Sequence, residues 1–310
     1  MRKRKVDLLL FLLPFFAVIS IAFCIFYKKP SIRSKTYPNG VQKEEIGVNS
    51  YKRPIVDDAV FFKSIDERLS YLRNKIGNES GSFGLFIKDL DTNEEYSVNS
   101  NEKFYGASLY KIPLAAAVIT KIEAEDLSYN TIVSYERRDY SDGTGSISES
   151  SYGTNFSVSE LLDYLMRQSD NVAQMMLERT VTEIYLSEIF KDLSSESDEN
   201  TFYIDNTTYP REVVNILEIM FYKDYISENN KTLLKNFMYP TLFDDRITPS
   251  LKNQLTFYHK IGSWPDSWHD CGIVTNGDKD VIVCLMSKDT NYESFLNVSS
   301  YVGSFINSLF

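Results

Sequence analysis

The sequence predicts an α+β fold, an α/β sandwich in which an antiparallel sheet of roughly five strands is flanked by the N- and C-terminal helices of one domain. Strand-like segments lie near both ends of residues 60–310, each next to a terminal helical pattern. The middle of this range carries several helical patterns, which predict an all-helical lobe. With 43% hydrophobic residues, the chain can bury the core that such a domain needs.

The chain begins with a segment that is apolar enough to cross a bilayer. Residues 2–5 are all basic, and residues 8–27 contain no charged side chain. We expect a cytoplasmic tail at 1–6 and a transmembrane signal anchor at 7–27, which make a single-pass protein of the cell membrane with its domain outside. A cleaved signal peptide is the alternative, but no small-x-small cleavage site follows the apolar run.

Residues 28–59 are polar, contain Pro and Gly, and predict an extracytoplasmic linker.

The composition excludes several classes of partner. Beyond residue 35 the chain holds 25 basic and 42 acidic residues, so its net charge of −17 argues against nucleic acid and anionic lipid surfaces. The three cysteines and two histidines form no metal-binding motif, and we expect no metal and no cofactor.

The elements of the domain follow from hydrophobic periodicity. Apolar side chains recur at helical spacing from Phe62 to Ile76, and Gly77 ends that helix. Residues 83–89 and 95–99 alternate like strands around a turn. Further helices are predicted from Ser108 onward and near 157–168, 171–180, 182–192, 210–224, 227–238 and 291–310, and further strands at 256–262, 271–276 and 279–287.

The last two predicted strands form a tight hairpin around residues 276–279. If Gly277 and Asp278 are a two-residue loop, counting outward places Cys271 opposite Cys284, with their Cα atoms about 4.5 Å apart. An extracytoplasmic domain would permit a disulfide there, and two small buried apolar side chains are the alternative. A loop of another length would separate the pair.

The candidate chemistry begins at Ser108-Leu109-Tyr110-Lys111, which opens an uncharged, helix-like run. Residues three apart share one helix face, so the Ser108 hydroxyl and the Lys111 amine should be neighbours. Burial lowers the pKa of a lysine, which could then take the serine proton. A helix N-cap is the alternative role for Ser108. A second Ser-x-x-Lys, from Ser100 to Lys103, lies in a polar turn and is interpreted as a chance match.

Two further segments complete a recognisable order. Ser169-Asp170-Asn171 lies between two helical patterns, where an N-cap is its alternative role. Lys260-Ile261-Gly262-Ser263 lies near a strand end, where an edge lysine and a turn glycine are the alternatives. Together the segments resemble the S-x-x-K, S-D-N and K-T-G motifs of the serine β-lactamase and penicillin-binding peptidase superfamily. The closest resemblance is to class A β-lactamase-like domains, over residues 60–310. Weaker matches are Gly143-Thr144-Gly145-Ser146, Thr207-Thr208-Tyr209-Pro210 and His269-Asp270-Cys271-Gly272-Ile273-Val274.

The resemblance implies that four side chains act in catalysis. Ser108 would be the nucleophile and Lys111 its base, while Ser169 would relay a proton to the leaving group. Lys260 would face Ser169 and an anionic group of the substrate. Its like charge would lower the pKa of Lys111 further.

The resemblance also implies three substrate-binding residues, Asn171, Gly262 and Ser263. Asn171 would hold a substrate amide and touch Lys111. The backbone N–H groups of Ser108 and Ser263 would form an oxyanion hole, in which each donor can contribute about 3–4 kcal/mol to the transition state.

Two departures from the family pattern bear on the reaction. Ile261 replaces the family's Thr or Ser, a hydroxyl that helps to bind the substrate carboxylate and that Ser263 could supply instead. The glutamate that activates the deacylating water in class A β-lactamases is not evident. Glu183, in a helical repeat, and Asp205 are weak stand-ins. We therefore expect acylation, and slow deacylation is left open.

The sequence thus favours a membrane-anchored serine hydrolase that acylates Ser108 with a small-molecule β-lactam or with a D-alanyl peptide of peptidoglycan. A non-catalytic cell-wall-binding relative of the same fold is the main alternative. A Ser-His-Asp hydrolase using His259 or His269 is a third possibility, but the chain has no G-x-S-x-G elbow. His269 and Asp270 are instead interpreted as a structural pair.

Overall fold

The computed structural model describes residues 64–194 and 200–310. The basic tail, the transmembrane anchor and the linker that we predict at 1–6, 7–27 and 28–59 lie outside the described residues. Within the two described ranges, none of the helices combines the length and the apolar character that crossing a membrane requires.

The described ranges contain nine strands and nine α-helices, whose bounds are as follows. The strands are β1 (Ser82–Asp89), β2 (Glu95–Val98), β3 (Phe104–Tyr105), β4 (Ile132–Ser134), β5 (Asn155–Ser157), β6 (Thr207–Thr208), β7 (Thr256–Trp264), β8 (Ser267–Thr275) and β9 (Asp280–Lys288). The helices are α1 (Ile65–Gly77), α2 (Lys111–Glu123), α3 (Val158–Arg167), α4 (Asn171–Val181), α5 (Glu183–Leu193), α6 (Thr201–Asp205), α7 (Pro210–Tyr222), α8 (Glu228–Met238) and α9 (Tyr292–Asn307).

Five strands form one antiparallel sheet in the order β2-β1-β9-β8-β7, which confirms the predicted sheet. Two small sheets, β3 with β6 and β4 with β5, lie outside it. The strands β7 and β8 are longer than predicted. β7 continues to Trp264 and β8 already starts at Ser267. The residues between them, including Asp266 at a φ of +57°, make a tight hairpin turn.

The two faces of the sheet pack against different partners, as strand alternation requires. On β1, Leu85 and Ile87 belong to the core beneath the terminal helices α1 and α9, together with Leu72 and Val302. Phe86, between them, belongs to the core of the helical lobe on the opposite face. The arrangement is the predicted sandwich of sheet and terminal helices.

Helix α2 lies inside the helical lobe, which explains its uncharged sequence. Every residue from Lys111 to Ile119 is buried. Burying aliphatic side chains such as Leu114 and Val118 contributes about 1.5–3 kcal/mol each. Lys111 is the one cationic residue in this buried stretch, and its amine therefore needs polar partners.

The β8–β9 hairpin has the register that the sequence predicts. The Asn276 N–H donates to the Lys279 carbonyl at 3.3 Å, and Cys271 pairs with Cys284. Their Cα atoms are 4.0 Å apart, and their sulfur atoms form a disulfide. Of the two alternatives left open by the sequence, the structure contains the disulfide.

Candidate active site

Ser108 lies on a short 3-10 helix, Ala107–Tyr110, immediately before α2. The N-cap of α2 is Tyr110, so the alternative role of Ser108 as a helix cap is wrong. Ala107 adopts a left-handed φ of +48°, which costs a non-glycine residue on the order of 1 kcal/mol and requires a tightly held backbone. Asn206 supplies part of that support, because its Nδ2 donates to the Ala107 carbonyl at 2.9 Å.

The buried amine of Lys111 links the first two sequence segments. Its Nζ donates to Ser108 Oγ at 3.1 Å and to Asn171 Oδ1 at 2.7 Å. It also donates to the backbone carbonyl of Ser169 at 2.6 Å and lies 3.3 Å from Ser169 Oγ. A neutral Lys111 would therefore be in position to accept a proton from either serine hydroxyl.

The surroundings of Lys111 favour that neutral form. Burial lowers the pKa of Lys111 to about 7, while the negative charges of Asp170 and Glu178 oppose the change. A base is most effective when its pKa lies near the working pH. Lys111 can thus act as a general base at neutral pH.

Lys260 joins the site from β7. Its buried Nζ donates to Ser169 Oγ at 2.8 Å, so the Ser169 hydroxyl lies between two amines. Burial lowers the pKa of Lys260 well below its ordinary range, and the charges of Lys111 and Arg246 lower it further. Because like charges act on each other, the two buried amines disfavour being protonated at the same time.

Asp170 fixes the segment that carries Ser169. It is the N-cap of α4, and its Oδ1 accepts the Ala173 N–H at 2.8 Å. Its Oδ2 accepts the N–H groups of Ser146 and Ile147 at 2.8 and 2.9 Å. The N-cap interpretation is thus right for Asp170, while its two neighbours in the segment point to Lys111.

The glycine-containing loop before α3 packs directly on this segment. Gly145 has a φ of +103°, and a Cβ there would lie 2.1 Å from the Asp170 carboxylate, so glycine is required. Thr144 Oγ1 donates to the Ser169 carbonyl at 2.6 Å. The Asn171 amide donates to the Asp142 carbonyl at 2.8 Å, which leaves its Oδ1 directed to Lys111.

Gly262 allows β7 to approach the segment that carries Ser108. A Cβ at this position would lie 2.9 Å from the Gly106 carbonyl and 2.7 Å from the His269 ring. Ser263 follows with an exposed side chain, whose Oγ accepts from Arg246 Nη2 at 2.6 Å. Arg246 had no sequence signal, because it lies in a stretch without any predicted element.

Ile261 is buried and pairs with Asp270 on the neighbouring strand. Strand alternation places its side chain on the face opposite to Lys260 and on the same face as Ser263. Ser263 is therefore the next residue on that face and carries a hydroxyl, which lies beside the Arg246 guanidinium.

The prediction that His269 and Asp270 form a pair is wrong. Adjacent strand residues point to opposite faces, and Asp270 Oδ1 lies instead 2.6 Å from His259 Nδ1. His269 Nε2 donates to the Tyr105 carbonyl at 2.7 Å, and its Nδ1 accepts the Ser287 N–H at 3.3 Å. Among the described residues, neither histidine has a hydrogen bond to Ser108, so the Ser-His-Asp alternative loses its support.

Three further acidic residues, Glu183, Asp205 and Glu178, differ in how far their side chains are exposed. Glu183 starts α5 and Asp205 ends α6, and both are exposed. Glu178, in α4, is partly buried and acts electrostatically on Lys111. The sequence analysis missed Glu178, although its spacing of seven residues from Asn171 places both on one helix face. The described part of the chain contains no group of three or more His, Cys, Asp or Glu side chains that could hold a metal.

Comparisons with known proteins give a family match, related sequences and similar folds. The model of a family described as the Beta-lactamase enzyme family matches residues 67–306. Beta-lactamase ROB-1 of Haemophilus influenzae is 24% identical over 173 residues, which cover 50% of this chain and 54% of that protein. The chain thus spans about half the length of the curated relatives that it matches in this way.

Two solved structures are similar over most of the chain. The structure of PBP-A has a TM-score of 0.70 and 17% identity, covering 78% of this chain and 96% of that one. A beta lactamase from Xanthomonas campestris has a TM-score of 0.71 and 20% identity, covering 79% and 98%. At these identities the likeness concerns the fold alone.

Proposed function

Because this chain belongs to the β-lactamase enzyme family, we propose that it is a serine hydrolase that forms an acyl-enzyme on Ser108 with a β-lactam or a D-alanyl peptide. One observation carries the proposal. The buried Lys111 Nζ lies within hydrogen-bonding distance of Ser108 Oγ and Ser169 Oγ, in surroundings that lower its pKa to about 7.

The contacts support a complete acylation step. Ser108 Oγ attacks the carbonyl carbon of the substrate amide while Lys111 takes the hydroxyl proton. The carbonyl oxygen becomes an anion, for which the backbone N–H groups of Ser108 and Ser263 are the candidate donors. The carbon–nitrogen bond then breaks, and Ser169 gives its proton to the leaving nitrogen and recovers one from Lys111 or Lys260.

The charges around Ser263 support an anionic substrate. Lys260 lies on the inner side of β7, and the Arg246 guanidinium donates to Ser263 Oγ at 2.6 Å. β-Lactams and D-alanyl peptides share a carboxylate near the scissile amide. The Arg246 guanidinium beside this exposed hydroxyl would form a recognition site for that group.

Deacylation is proposed to be slow. In class A enzymes a glutamate activates the water, but here Glu183 and Asp205 are both exposed. The Asp170 carboxylate is engaged by backbone N–H groups. A long-lived acyl-enzyme is therefore favoured over rapid β-lactam hydrolysis.

The location is proposed to be the outer face of the cell membrane. The uncharged residues 8–27 would anchor the chain, with the domain outside. The disulfide between Cys271 and Cys284 supports an oxidising compartment, since disulfides are rare in the cytosol.

Mass spectrometry of the intact protein mixed with a penicillin tests the proposal. We expect an adduct on Ser108 in the unaltered protein and none in S108A. The matched control is S100A, which removes the serine of the other Ser-x-x-Lys match and should keep the adduct.

The fate of the adduct separates the alternatives. Persistence for minutes or longer indicates a penicillin-binding protein, and loss within seconds indicates a β-lactamase. Absence of any adduct on the unaltered protein would contradict the proposal and favour the non-catalytic cell-wall-binding relative.

A further inference from the structure

His259 is a buried titratable side chain that the acylation step does not use. It precedes Lys260 on β7, and strand alternation places its ring on the face opposite to the Lys260 amine. Its Nδ1 lies 2.6 Å from Asp270 Oδ1 on β8, and its Nε2 lies 3.0 Å from Asp244 Oδ1. The ring therefore connects the sheet to a residue that lies outside it.

These two contacts are strongest when both ring nitrogens of His259 carry a proton. A carboxylate can only accept, so a neutral ring could donate to just one of its two partners. Burial alone would lower the pKa of His259, but the two carboxylates raise it to about 9. At neutral pH the bridge is thus a cation between two anions, and hydrogen bonds between charged groups are stronger than neutral ones.

Asp244 begins a short segment, residues 244–247, that is fixed at both of its ends. At the far end the N–H of the buried Ile247 donates to Asp270 Oδ2 at 3.1 Å. Asp270 thus contacts His259 with one carboxylate oxygen and binds the segment with the other. The near end is held through the contact between Asp244 and His259.

Arg246 lies between these two fixed ends, and its guanidinium contacts the β7–β8 hairpin. Its Nη1 donates to the Gly262 carbonyl at 2.8 Å and also to the His269 carbonyl, while its Nη2 donates to Ser263 Oγ at 2.6 Å. The Arg246 side chain is only 4% exposed, whereas Ser263 is exposed. A group that binds from solvent therefore meets the Ser263 hydroxyl, with the guanidinium directly behind it.

The Arg246 contact prepares the Ser263 hydroxyl for an anion. Ser263 Oγ accepts the guanidinium hydrogen bond, so its own proton remains available for donation. A hydroxyl that is polarised by a cation is a good donor to a carboxylate. How firmly Arg246 is held beside Ser263 should therefore affect the affinity for an anionic substrate.

We propose that His259 is a positioning residue for substrate recognition, because it holds Arg246 in place beside Ser263. The affinity of the site for the carboxylate of a substrate then depends on the bridge that His259 makes. The inference rests on the proposed acylation of Ser108. His259 forms no bond to the substrate and moves no proton in this role, so losing the bridge should weaken binding without slowing the chemical step.

The test follows acylation of Ser108 by intact mass spectrometry, with benzylpenicillin and with its methyl ester, in which the carboxylate is masked. The dependence of the rate on reagent concentration gives an apparent dissociation constant and a limiting rate for each reagent. In D244A the segment loses its contact with His259, while the buried pair of His259 and Asp270 is kept. We expect the apparent dissociation constant of benzylpenicillin to rise about tenfold at an unchanged limiting rate, and that of the ester to stay the same.

The matched control is D245N, which removes a negative charge from the same segment and keeps the bridge. Asp245 Oδ1 lies 4.0 Å from Arg246 Nε, and its Oδ2 accepts from the Tyr292 hydroxyl, a bond that an amide oxygen can also accept. Through charge alone, removing either acid would favour an anionic reagent. We expect D245N to keep the preference of the unaltered protein for the acid over the ester. Equal losses of this preference in D244A and D245N would overturn the inference.

A second variant approaches the bridge from β7 and covers a failure of D244A to fold. H259Q carries an amide that can donate from one end only, so it cannot bridge two carboxylates. We expect the same selective loss of affinity for benzylpenicillin. A variant that is merely destabilised loses labelling by both reagents in equal proportion, and that result would overturn the inference.

The outcomes separate this inference from the proposed function. If the unaltered protein is labelled and neither variant changes the preference for the acid, the inference alone is overturned. If neither reagent labels the unaltered protein, the proposed function fails, and NMR of the arginine side chains then decides whether the bridge holds Arg246. Faster hydrogen exchange of the Arg246 guanidinium in D244A than in D245N supports the bridge, and equal exchange overturns it.

Discussion

At the scale of single residues, Lys111 gains its chemistry from burial among neutral acceptors. Oxygen atoms of Ser108, Ser169 and Asn171 accept its hydrogen bonds. These groups satisfy the donors of the ammonium without giving it a full counter-charge, so burial dominates and the pKa falls to about 7. A carboxylate bonded directly to the amine would have kept it protonated.

His259 shows the opposite balance. Burial disfavours its imidazolium, but Asp270 at 2.6 Å and Asp244 at 3.0 Å more than compensate and raise the pKa of His259 to about 9. The folded state therefore binds this proton more tightly than the unfolded state, in which the ordinary value is near 6.5. The stabilisation is present in full below pH 6.5 and is lost as the pH rises through 9.

We predict that D244N reduces this pH dependence. With one carboxylate gone, the pKa of His259 falls, and the free energy of unfolding should drop by about 1 kcal/mol at pH 6 and by less at pH 9.5. Urea unfolding across this pH range measures the effect. D245N is the control, because the neighbouring Asp245 bonds to the Tyr292 hydroxyl and not to His259. If the free energy of unfolding of D244N depended on pH as it does in the unaltered protein, the prediction would be contradicted.

Residue types and their order were enough to predict which segments matter, but not every member of the site. Ser108, Ser169 and Lys260 belong to short patterns that are distinctive in combination. Arg246 is an ordinary charged residue in a loop, and only its position beside Ser263 gives it importance.

At the scale of elements, the β8–β9 hairpin was predictable because its register depends only on local geometry. A two-residue loop fixes which residues pair, and Cys271 therefore lies opposite Cys284. The interactions of β7 with the Ser108 segment were not predictable in this way. They depend on Gly262 meeting Gly106, a contact between residues more than 150 positions apart.

We predict that C271S/C284S lowers the free energy of unfolding by about 2–3 kcal/mol. The disulfide closes a loop with a sequence separation of 13, and removing it restores entropy to the unfolded chain. Urea unfolding with and without a reductant measures the change. Reductant should destabilise the unaltered protein and leave the double variant unaffected, and equal stabilities without reductant would argue against the prediction.

At the scale of the whole molecule, the chain combines an apolar N-terminal segment with a strongly acidic body. The described core, from α1 to α9, lies within residues 65–307. The core of the helical lobe and the core beneath the terminal helices lie on opposite faces of one sheet, and both are built from the described residues. The domain thus holds its own core in the part of the chain that follows the predicted linker.

We predict that a chain starting at residue 60 stays in the soluble fraction of a lysate and is still labelled by penicillin, while the full chain sediments with membranes. Cell fractionation followed by fluorescent labelling measures both properties. A full chain that remains soluble would refute the anchor, and loss of labelling in the shorter chain would show that the N-terminal residues support the domain.

The sequence by itself determined the class of fold and the order of the three segments, and for a two-residue loop it predicted the register that places the two cysteines opposite each other, because periodicity, motif order and hairpin register are local properties of the chain. Tertiary structure decided which neutral oxygens surround Lys111, which strand residue pairs with His259, and where Arg246 and Glu178 lie. Protonation states depend on burial and on charges brought together from distant segments, and no local pattern specifies those distances.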